Sequence, residues 1–483
     1  MGGWSLTPRD LKKYPHFDPV ISVANAEELA TTPAHVAKHT FYPFLRFVQK
    51  WNRFAPKGQV GKPKERPIRY AARSDAYIYS YYRHLLSERY EAELKRRDLS
   101  QSVLAYRRIA DVESGKGKCN IHFARDAVAK VREVGDCCVL ALDISGFFES
   151  LDHDLLKRQW CNLLGVGRLP SDHFRVYEAI TAHAVVDKER AYERLKHFGE
   201  KARTKWGEPI NGYLTPYRDM PKQLCTGAEF REKIAGGGTS PSIIEKNRKP
   251  YGIPQGAPIS DLLANLYLLD FDSIVAGWAR TLGGAYYRYS DDILIIVRGD
   301  EAVGRALMDR ARAEIGRHGK RLKIKAEKSS LFTFRVTGDR QECKLVEGEQ
   351  GRNGLEYLGF RYNGERVYIR DSTLSNLRRK VARVARREAL VAARRYPTKD
   401  LRYLIANFDY ERLIARFGRV EEFGEYHNDY RTWTFWTYVT RASKVFGAMG
   451  GAIPRQLRRH RVLVRARIDT ELERAVSERD KRR

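Results

Sequence analysis

Cysteine is scarce in this sequence, and long apolar runs are missing from it. Six cysteines occur among 483 residues and no two form a C-x-x-C pair, so neither a zinc ribbon nor a disulfide framework is indicated. No apolar run approaches the roughly 20 residues that a membrane-spanning helix needs. These scarcities favour a cytoplasmic protein without a membrane partner.

Positive charge, by contrast, is abundant. Lys and Arg total 89 against 60 Asp and Glu, which leaves a formal net charge of +29. A surplus of this size is typical of proteins that bind nucleic acid or another polyanion. Hydrophobic residues make up 42% of the chain, which is enough for a sizeable core. The composition therefore favours a large, multi-lobed protein that handles nucleic acid.

Carboxylates stand at the ends of predicted strands in two places. The apolar pattern of residues 136–143 predicts a buried strand that ends on Asp143. Residues 285–297 predict two strands joined by a two-residue turn at Ser290-Asp291. Clustered carboxylates repel one another unless they are solvated or metal-bound, and two Mg²⁺ ions about 3.5–4 Å apart need such hard oxygen ligands. A polar Ser-Asp-Asp turn without chemistry is the alternative.

Helical patterns occupy much of the remaining chain. Apolar or aromatic residues recur at helical spacing over residues 77–90, 151–164 and 260–280. The tyrosines of the first segment are expected to fill a core, and base stacking is the alternative.

The C-terminal region is expected to be helical and basic. Residues 371–483 contain 27 Lys and Arg against 14 Asp and Glu, a surplus of 13 positive charges. Its apolar stripe predicts helix packing on one side, with the arginines largely elsewhere around the helix. The candidates for sequence-independent RNA binding are Arg378, Arg379, Arg383, Arg386 and Arg387. A solvated helix face is the alternative.

Five segments, in order, resemble the motifs of reverse transcriptases. Motif A is similar to residues 140–153 (LALDISGFFESLDH), motif B to residues 252–260 (GIPQGAPIS) and motif C to residues 288–293 (RYSDDI). Residues 322–329 look like motif D, and residues 355–360 look like the primer-grip motif. Upstream, Arg66-Pro-Ile-Arg69 is similar to the fingers segment that meets the incoming triphosphate. The resemblance spans roughly residues 60–365.

This resemblance implies an α+β right-hand polymerase with fingers, a palm and a helical thumb. The palm is expected to be a ferredoxin-like antiparallel sheet backed by helices. The implied parts are an N-terminal extension over 1–60, fingers over 61–135, a palm over 136–365 with an inserted region at 185–250, and a basic helical thumb and C-terminal extension over 366–483.

The resemblance also implies a metal site and three catalytic carboxylates. Asp143 and Asp291 would be the principal ligands, with the carbonyl of Ile144 completing one site. Asp292 is the second carboxylate of its motif and is expected to be more peripheral. The implied cofactor is a pair of Mg²⁺ ions, for which Mn²⁺ can substitute.

Three further residues are implied to shape the nucleotide site. Phe148 stands where the family places an aromatic steric gate that excludes a 2′-OH, and a core phenylalanine is the alternative. Gln255 and Gly256 would form a tight turn through which backbone groups approach template and nucleotide closely.

Positively charged residues and a second turn complete the implied site. Lys328 resembles the motif D lysine, a proton donor to pyrophosphate, with a solvated surface lysine as the alternative. Lys64 and Arg66 would grip triphosphate oxygens, with a generic basic face as the alternative. Leu358 and Gly359 would belong to the primer grip.

Two sequence segments indicate the type of reverse transcriptase. Residues 68–75 (IRYAARSD) and 143–152 (DISGFFESLD) look most similar to bacterial defence-associated reverse transcriptases, and no intron-type endonuclease pattern follows the thumb. That group implies a non-coding RNA template, deoxynucleoside triphosphates and a DNA product, and it leaves oligomerisation open. A group II intron- or retron-type enzyme of a mobile element is one alternative. A non-catalytic RNA-binding protein on a polymerase scaffold is the other.

Overall fold

The structure is a computed structural model that describes residues 3–52, 63–111, 115–203, 207–238, 240–349, 351, 353–417 and 435–481. Its strands are β1 (Phe44–Asn52), β2 (Pro63–Tyr70), β3 (Cys137–Asp143), β4 (Ala184–Asp187), β5 (Phe198–Arg203), β6 (Pro209–Tyr213), β7 (Glu245–Lys246), β8 (Ala285–Tyr289), β9 (Asp292–Arg298), β10 (Ser330–Thr337), β11 (Arg340–Glu347), β12 (Leu355–Tyr357), β13 (Phe360–Tyr362) and β14 (Val367–Ile369). Its helices are α1 (Val23–Thr31), α2 (Pro33–Lys38), α3 (Arg73–Arg96), α4 (Asn120–Val134), α5 (Phe147–Ser150), α6 (His153–Leu164), α7 (Ser171–Thr181), α8 (Lys188–Arg194), α9 (Gly227–Glu229), α10 (Ser260–Tyr267), α11 (Leu269–Thr281), α12 (Glu301–Arg317), α13 (Asp371–Arg395), α14 (Leu401–Ala406), α15 (Tyr410–Phe417), α16 (Phe435–Phe446), α17 (Ala452–Arg455) and α18 (His460–Asp480).

The palm is an antiparallel sheet with strand order β11-β10-β3-β9-β8. Helices separate β3 from the β8–β9 hairpin, and α12 separates β9 from β10. Apart from β11, this is the ferredoxin-like arrangement expected from the sequence. The predicted α+β right-hand polymerase class is therefore confirmed.

Both faces of the palm sheet are covered, which explains the uninterrupted apolar run in β3. Leu140 and Leu142 belong to one core cluster, which includes side chains of α10, α11 and α12. Cys137 and Val139 point to the opposite face and belong to a second cluster with α4 and the thumb. Because side chains alternate along a strand, a strand between two cores must be apolar at nearly every position.

The predicted helix over 260–280 is two helices, not one. The chain bends by 52° between α10 and α11, at Leu268. Both helices pack in the palm core, where their apolar residues meet the sheet. Among the described residues, no single helix is long and apolar enough to cross a membrane, and this bent pair meets that test only in length and composition.

The fingers contain α3 and a sheet with strand order β2-β1-β4-β7. Tyr81 of the aromatic segment is half-buried. The other four tyrosines of the segment are buried in α3, as the core interpretation predicted: Tyr77, Tyr79, Tyr82 and Tyr90. They do not offer ring faces for base stacking, because packing against neighbouring helices covers them.

The thumb is helical, with a small β12-β13-β14 sheet at its base. Leu377 and Val381 lie on the buried face of α13, which packs along α18. The residue boundaries between fingers, palm and thumb stay predictions. α4, for example, lies before the predicted palm but packs its apolar face against β3 and β9.

Candidate active site

Three carboxylates meet where β3 ends beside the turn between β8 and β9. Asp143 is the last residue of β3 and pairs in register with Asp292, the first residue of β9. The backbone N–H of Ile144 donates to the carbonyl oxygen of Asp291 at 3.0 Å, which ties the turn to the end of β3. The structure thus brings the backbones of the three aspartates that were predicted to be catalytic together at one end of the sheet.

A buried arginine holds the turn that carries these carboxylates. Ser290 adopts a left-handed conformation with a φ of 63°, as tight hairpin turns require. Arg288 Nη1 donates to the Ser290 carbonyl oxygen at 3.1 Å. The Arg288 guanidinium also forms two hydrogen bonds with the Asp272 carboxylate, at 2.7 and 2.6 Å, and both side chains are fully buried. Removing either partner would leave a buried charge uncompensated, so both residues are needed to hold the turn.

Mutual repulsion dominates the electrostatics of the cluster. Burial of the carboxyl group and the negative charges of Asp291 and Asp143 raise the pKa of Asp292 to about 7, while Arg370 and Lys328 oppose this shift. Asp292 as a residue is exposed to solvent, so the two neighbouring negative charges are the stronger cause of the raised pKa. A cation among these oxygens would relieve the repulsion.

Lys328 already supplies one positive charge to the cluster. Its Nζ lies 2.5 Å from Oδ1 of Asp143. In the described ranges, no group of three or more His, Cys, Asp and Glu side chains is arranged to hold a metal ion. The donor chemistry nevertheless fits Mg²⁺, which prefers carboxylate and carbonyl oxygens. The groups that would hold it are the side chains of Asp143, Asp291 and Asp292 and the carbonyl of Ile144.

The predicted nucleotide-site turn lies between the fingers and motif A. The Arg69 N–H on β2 donates to the Gln255 carbonyl oxygen at 3.0 Å, and the Ile253 N–H donates to the Phe148 carbonyl oxygen at 2.8 Å. Gly256 has a φ of 120°, and a Cβ there would lie 2.3 Å from the carbonyl oxygen of Arg69. Only glycine fits this close approach of two backbone segments.

A family match covers the β8–β9 hairpin, which carries Asp291 and Asp292. Residues 241–362 match the family model Reverse transcriptase (RNA-dependent DNA polymerase). The reverse transcriptase match comprises 122 of the 483 residues and begins beyond Asp143, so it includes the motif B, C and D segments but not motif A. No curated protein matches the chain significantly.

Three solved telomerase structures from Candida Tropicalis align with the chain. Apo telomerase truncated from the C-terminal domain has 10% identity and a TM-score of 0.36, covering 73% of this chain and 62% of that chain. Apo telomerase has 12% identity and a TM-score of 0.36, covering 88% and 65%. Telomerase in complex with a TWJ fragment of telomeric RNA has 12% identity and a TM-score of 0.33, covering 95% and 67%. The chain thus spans less than two thirds of the first two telomerase chains.

Phe148, the gate residue expected of a reverse transcriptase, lies in α5 directly after β3. It is half-buried, whereas its neighbour Phe147 is 3% exposed, and their ring centroids lie 5.7 Å apart. The alternative role for Phe148 was that of a core phenylalanine. In the structure, Phe147 is the one that packs in the core. Phe148, within motif A, is partly open to solvent.

The triphosphate-binding residues expected of a reverse transcriptase lie on β2. Arg66 is exposed and lies opposite Gln49 of β1. The backbone of Lys64 also belongs to β2, but its side chain lies outside the described residues. Arg69, the last residue of the expected fingers segment, contacts motif A directly: its guanidinium lies 3.5 Å from Glu149 Oε1.

The expected primer-grip residues form the turn between β12 and β13. Leu358 and Gly359 both have positive φ, of 46° and 92°. Leu358 packs in a small apolar cluster that includes Tyr289 and Phe123. Because Tyr289 ends β8, the primer-grip turn lies beside the catalytic hairpin of the reverse transcriptase match.

The five candidate RNA-binding arginines all lie on α13, but their surroundings differ. Those with exposed side chains are Arg378, Arg379, Arg383 and Arg387. Arg386 instead forms ion pairs with Glu471 and Glu478 of α18, at 3.3 and 2.8 Å. It therefore joins two thumb helices, which makes it less suited to binding phosphates than the exposed four.

Two contributors to the site have no local sequence pattern of their own. Arg370 donates its backbone N–H to the carbonyl oxygen of Gly359 at 3.0 Å, and its charge opposes the raised pKa of Asp292. The Tyr106 hydroxyl donates to Ser290 Oγ at 3.0 Å. Partial burial raises the pKa of Tyr106, and the negative charge of Asp291 adds to this, so the hydroxyl keeps its proton.

Proposed function

We propose that this protein is an RNA-directed DNA polymerase that copies an associated non-coding RNA with deoxynucleoside triphosphates. The observation that carries the proposal is the register of β3 and β9, which sets Asp143 beside Asp292 and next to Asp291. The reverse transcriptase match over residues 241–362 supports the same reaction class.

The reaction class requires charge stabilisation at a phosphoryl group. Two Mg²⁺ ions, or Mn²⁺ in their place, would stabilise the charge that develops during in-line displacement when held by Asp143, Asp291, Asp292 and the Ile144 carbonyl. We assign to the Lys328 ammonium, which lies beside Asp143, the donation of a proton to the departing pyrophosphate.

Substrate selection falls to the residues around the carboxylates. We assign to the Phe148 ring the exclusion of a ribose 2′-OH, and to Arg66 and Lys64 the binding of triphosphate oxygens. To the turn at Gln255 and Gly256, which meets the backbone of Arg69 closely, we assign the approach of backbone groups to the incoming nucleotide.

The biological setting that we propose is anti-phage defence in a bacterium. Its support is the resemblance of residues 68–75 and 143–152 to defence-associated reverse transcriptases. The exposed arginines of α13 add a basic surface on which a structured RNA can be held through its phosphates.

A non-catalytic RNA-binding role is favoured by one observation. Lys328 forms an ion pair with Asp143, and a polymerase scaffold could keep such a pair for stability without catalysing a reaction. The polymerase function requires the carboxylates for DNA synthesis, and the RNA-binding function does not include DNA synthesis. Comparing DNA synthesis by the wild-type protein and by a variant without the carboxylates therefore separates the two functions.

The deciding experiment is primer extension on the RNA that copurifies with the protein, with sequencing of that RNA and of the DNA made. Replacing Asp291 and Asp292 together by Ala should abolish synthesis and leave RNA binding intact, because affinity comes from the basic surface. Asp339→Ala is the matched control, since Asp339 is exposed in another turn of the same sheet. Absence of extension by the wild-type protein, or retained extension in the double variant, would contradict the polymerase assignment.

A further inference from the structure

A loop from the fingers side is joined to the catalytic hairpin beside the carboxylates. The loop between α3 and α4 runs along β8, where the Arg288 N–H donates to the Ser102 carbonyl oxygen at 2.8 Å. The Leu104 N–H donates back to the Arg288 carbonyl oxygen at 2.9 Å. This pairing brings Tyr106 to the tip of the hairpin, where its hydroxyl donates to Ser290 Oγ at 3.0 Å.

Both partners of this hydrogen bond lie on left-handed backbone. Tyr106 has a φ of 64° and Ser290 a φ of 63°. Residues other than glycine rarely adopt this conformation, and where they do the surrounding structure must hold them. Here Arg83 Nη2 donates to the Tyr106 carbonyl oxygen at 3.0 Å, and Arg288 Nη1 donates to the Ser290 carbonyl oxygen at 3.1 Å. Two separate arginines thus stabilise the two unusual backbone conformations.

The same interactions reach the helix that follows the nucleotide-site turn. Arg83 of α3 forms an ion pair with Asp261 in the first turn of α10, at 3.1 Å. Asp261, Arg83, Tyr106 and Ser290 therefore form a chain of polar interactions from α10 to the residue that precedes Asp291. A small side chain such as alanine would fit at position 290, but only a polar one accepts the Tyr106 hydrogen bond.

We propose that Tyr106 is a positioning residue that acts through Ser290 to orient the Asp291 carboxylate. This inference rests on the proposed polymerase function, because it assigns the hydrogen bond to the chemical step. Tyr106 does not touch a reacting atom in this scheme. Its hydroxyl restricts the Ser290 side chain and, through the turn, the carboxylate that follows.

The test is a double-mutant cycle of Tyr106→Phe and Ser290→Ala, measured by single-nucleotide extension on an RNA template. Each single variant should lower kcat by about 10-fold, the loss expected when one well-placed hydrogen bond disappears. KM for the deoxynucleotide should change little, because neither side chain binds the nucleotide. The double variant should be no slower than either single variant, since both remove the same bond.

The controls separate positioning from folding. Tyr217→Phe removes a hydroxyl from a tyrosine that is 68% exposed on the inserted region, and it should extend like the wild-type protein. Thermal unfolding and RNA binding of the Tyr106 and Ser290 variants should match the wild-type values. Tyr106→Ala tests whether the ring has a separate role.

The outcomes distinguish this inference from the proposed function. A wild-type protein that does not extend primers overturns the polymerase function, and the inference falls with it. A wild-type protein that extends primers while Tyr106→Phe keeps full kcat overturns the inference alone. Independent, multiplicative losses in the double variant also overturn it, because Tyr106 would then act by a route other than Ser290.

Discussion

The ammonium group of Lys328 lies 2.5 Å from Oδ1 of Asp143, although the two residues are 185 positions apart in the chain. The side chain expected to donate a proton is thus paired with a carboxylate expected to bind metal. Both groups are partly exposed, with 34% and 21% of their side-chain surfaces accessible, so the pair can separate without unfolding. A divalent cation and Lys328 would compete for the same oxygen.

Replacing Lys328 should therefore change two measurable quantities. In Lys328→Ala, the Mg²⁺ concentration needed for half-maximal extension should fall, because no ammonium competes for Asp143. The maximal rate should fall by about 10²-fold or more through loss of general acid catalysis. Single-turnover extension across a Mg²⁺ titration measures both. Lys325→Ala is the control, since Lys325 is exposed and pairs with Glu327 instead. An unchanged Mg²⁺ requirement would show that the ion pair does not limit metal binding.

Phe148→Val should relax discrimination against ribonucleotides. Loss of a ring that collides with the 2′-OH should raise ribonucleotide incorporation relative to deoxynucleotide by about 10-fold, equivalent to about 1.4 kcal/mol. Single-nucleotide extension with each sugar gives the ratio. Phe147→Leu is the matched control, because Phe147 is buried and should affect stability without altering sugar choice. If the ratio in Phe148→Val stayed at the wild-type value, Phe148 would be a packing residue.

Gly256→Ala should damage the nucleotide site. A methyl group at 2.3 Å from the Arg69 carbonyl oxygen, on backbone with a φ of 120°, must push β2 away from the turn. We expect a loss of stability of about 1–3 kcal/mol and a higher KM for the deoxynucleotide. Chemical denaturation and steady-state extension measure these effects. Gly277→Ala in α11 is the control: no atom lies within 4 Å of its added Cβ, so stability should stay the same or rise slightly. Equal behaviour of the two variants would contradict the close approach.

The arginines of α13 should separate into two functional groups. Replacing Arg378, Arg379 and Arg383 by Gln should weaken RNA binding and reduce the log–log salt slope by roughly 0.7–0.9 for each phosphate that the protein no longer neutralises. Arg386→Gln should instead lower the thermal unfolding temperature with little change in the salt slope, because Arg386 pairs with Glu471 and Glu478. Binding titrations at several salt concentrations check both. Wild-type affinity and slope in the triple variant would place the RNA on another surface.

The catalytic elements were predictable because their signals are local. One signal is an apolar run that ends on Asp143, and the other is a pair of strands around Ser290-Asp291. Each signal is contained within a short stretch of the sequence. Strand alternation and tight-turn chemistry act over that same range, so the sequence alone determined the strand, the hairpin and the position of the carboxylates. The bend at Leu268 was missed, since 260–280 is apolar throughout much of its length and no proline or glycine marks the break.

The partners of these elements were decided only by the tertiary structure. Lys328 at Asp143, Tyr106 at Ser290, and Arg386 between α13 and α18 each join segments that lie 85 to 185 positions apart. Local propensity carries no information about which distant side chain will face a given group, because that depends on how whole helices and sheets pack. The sequence determined which strand and which turn carry the carboxylates, and packing decided that the two meet and which cations and hydroxyls hold them.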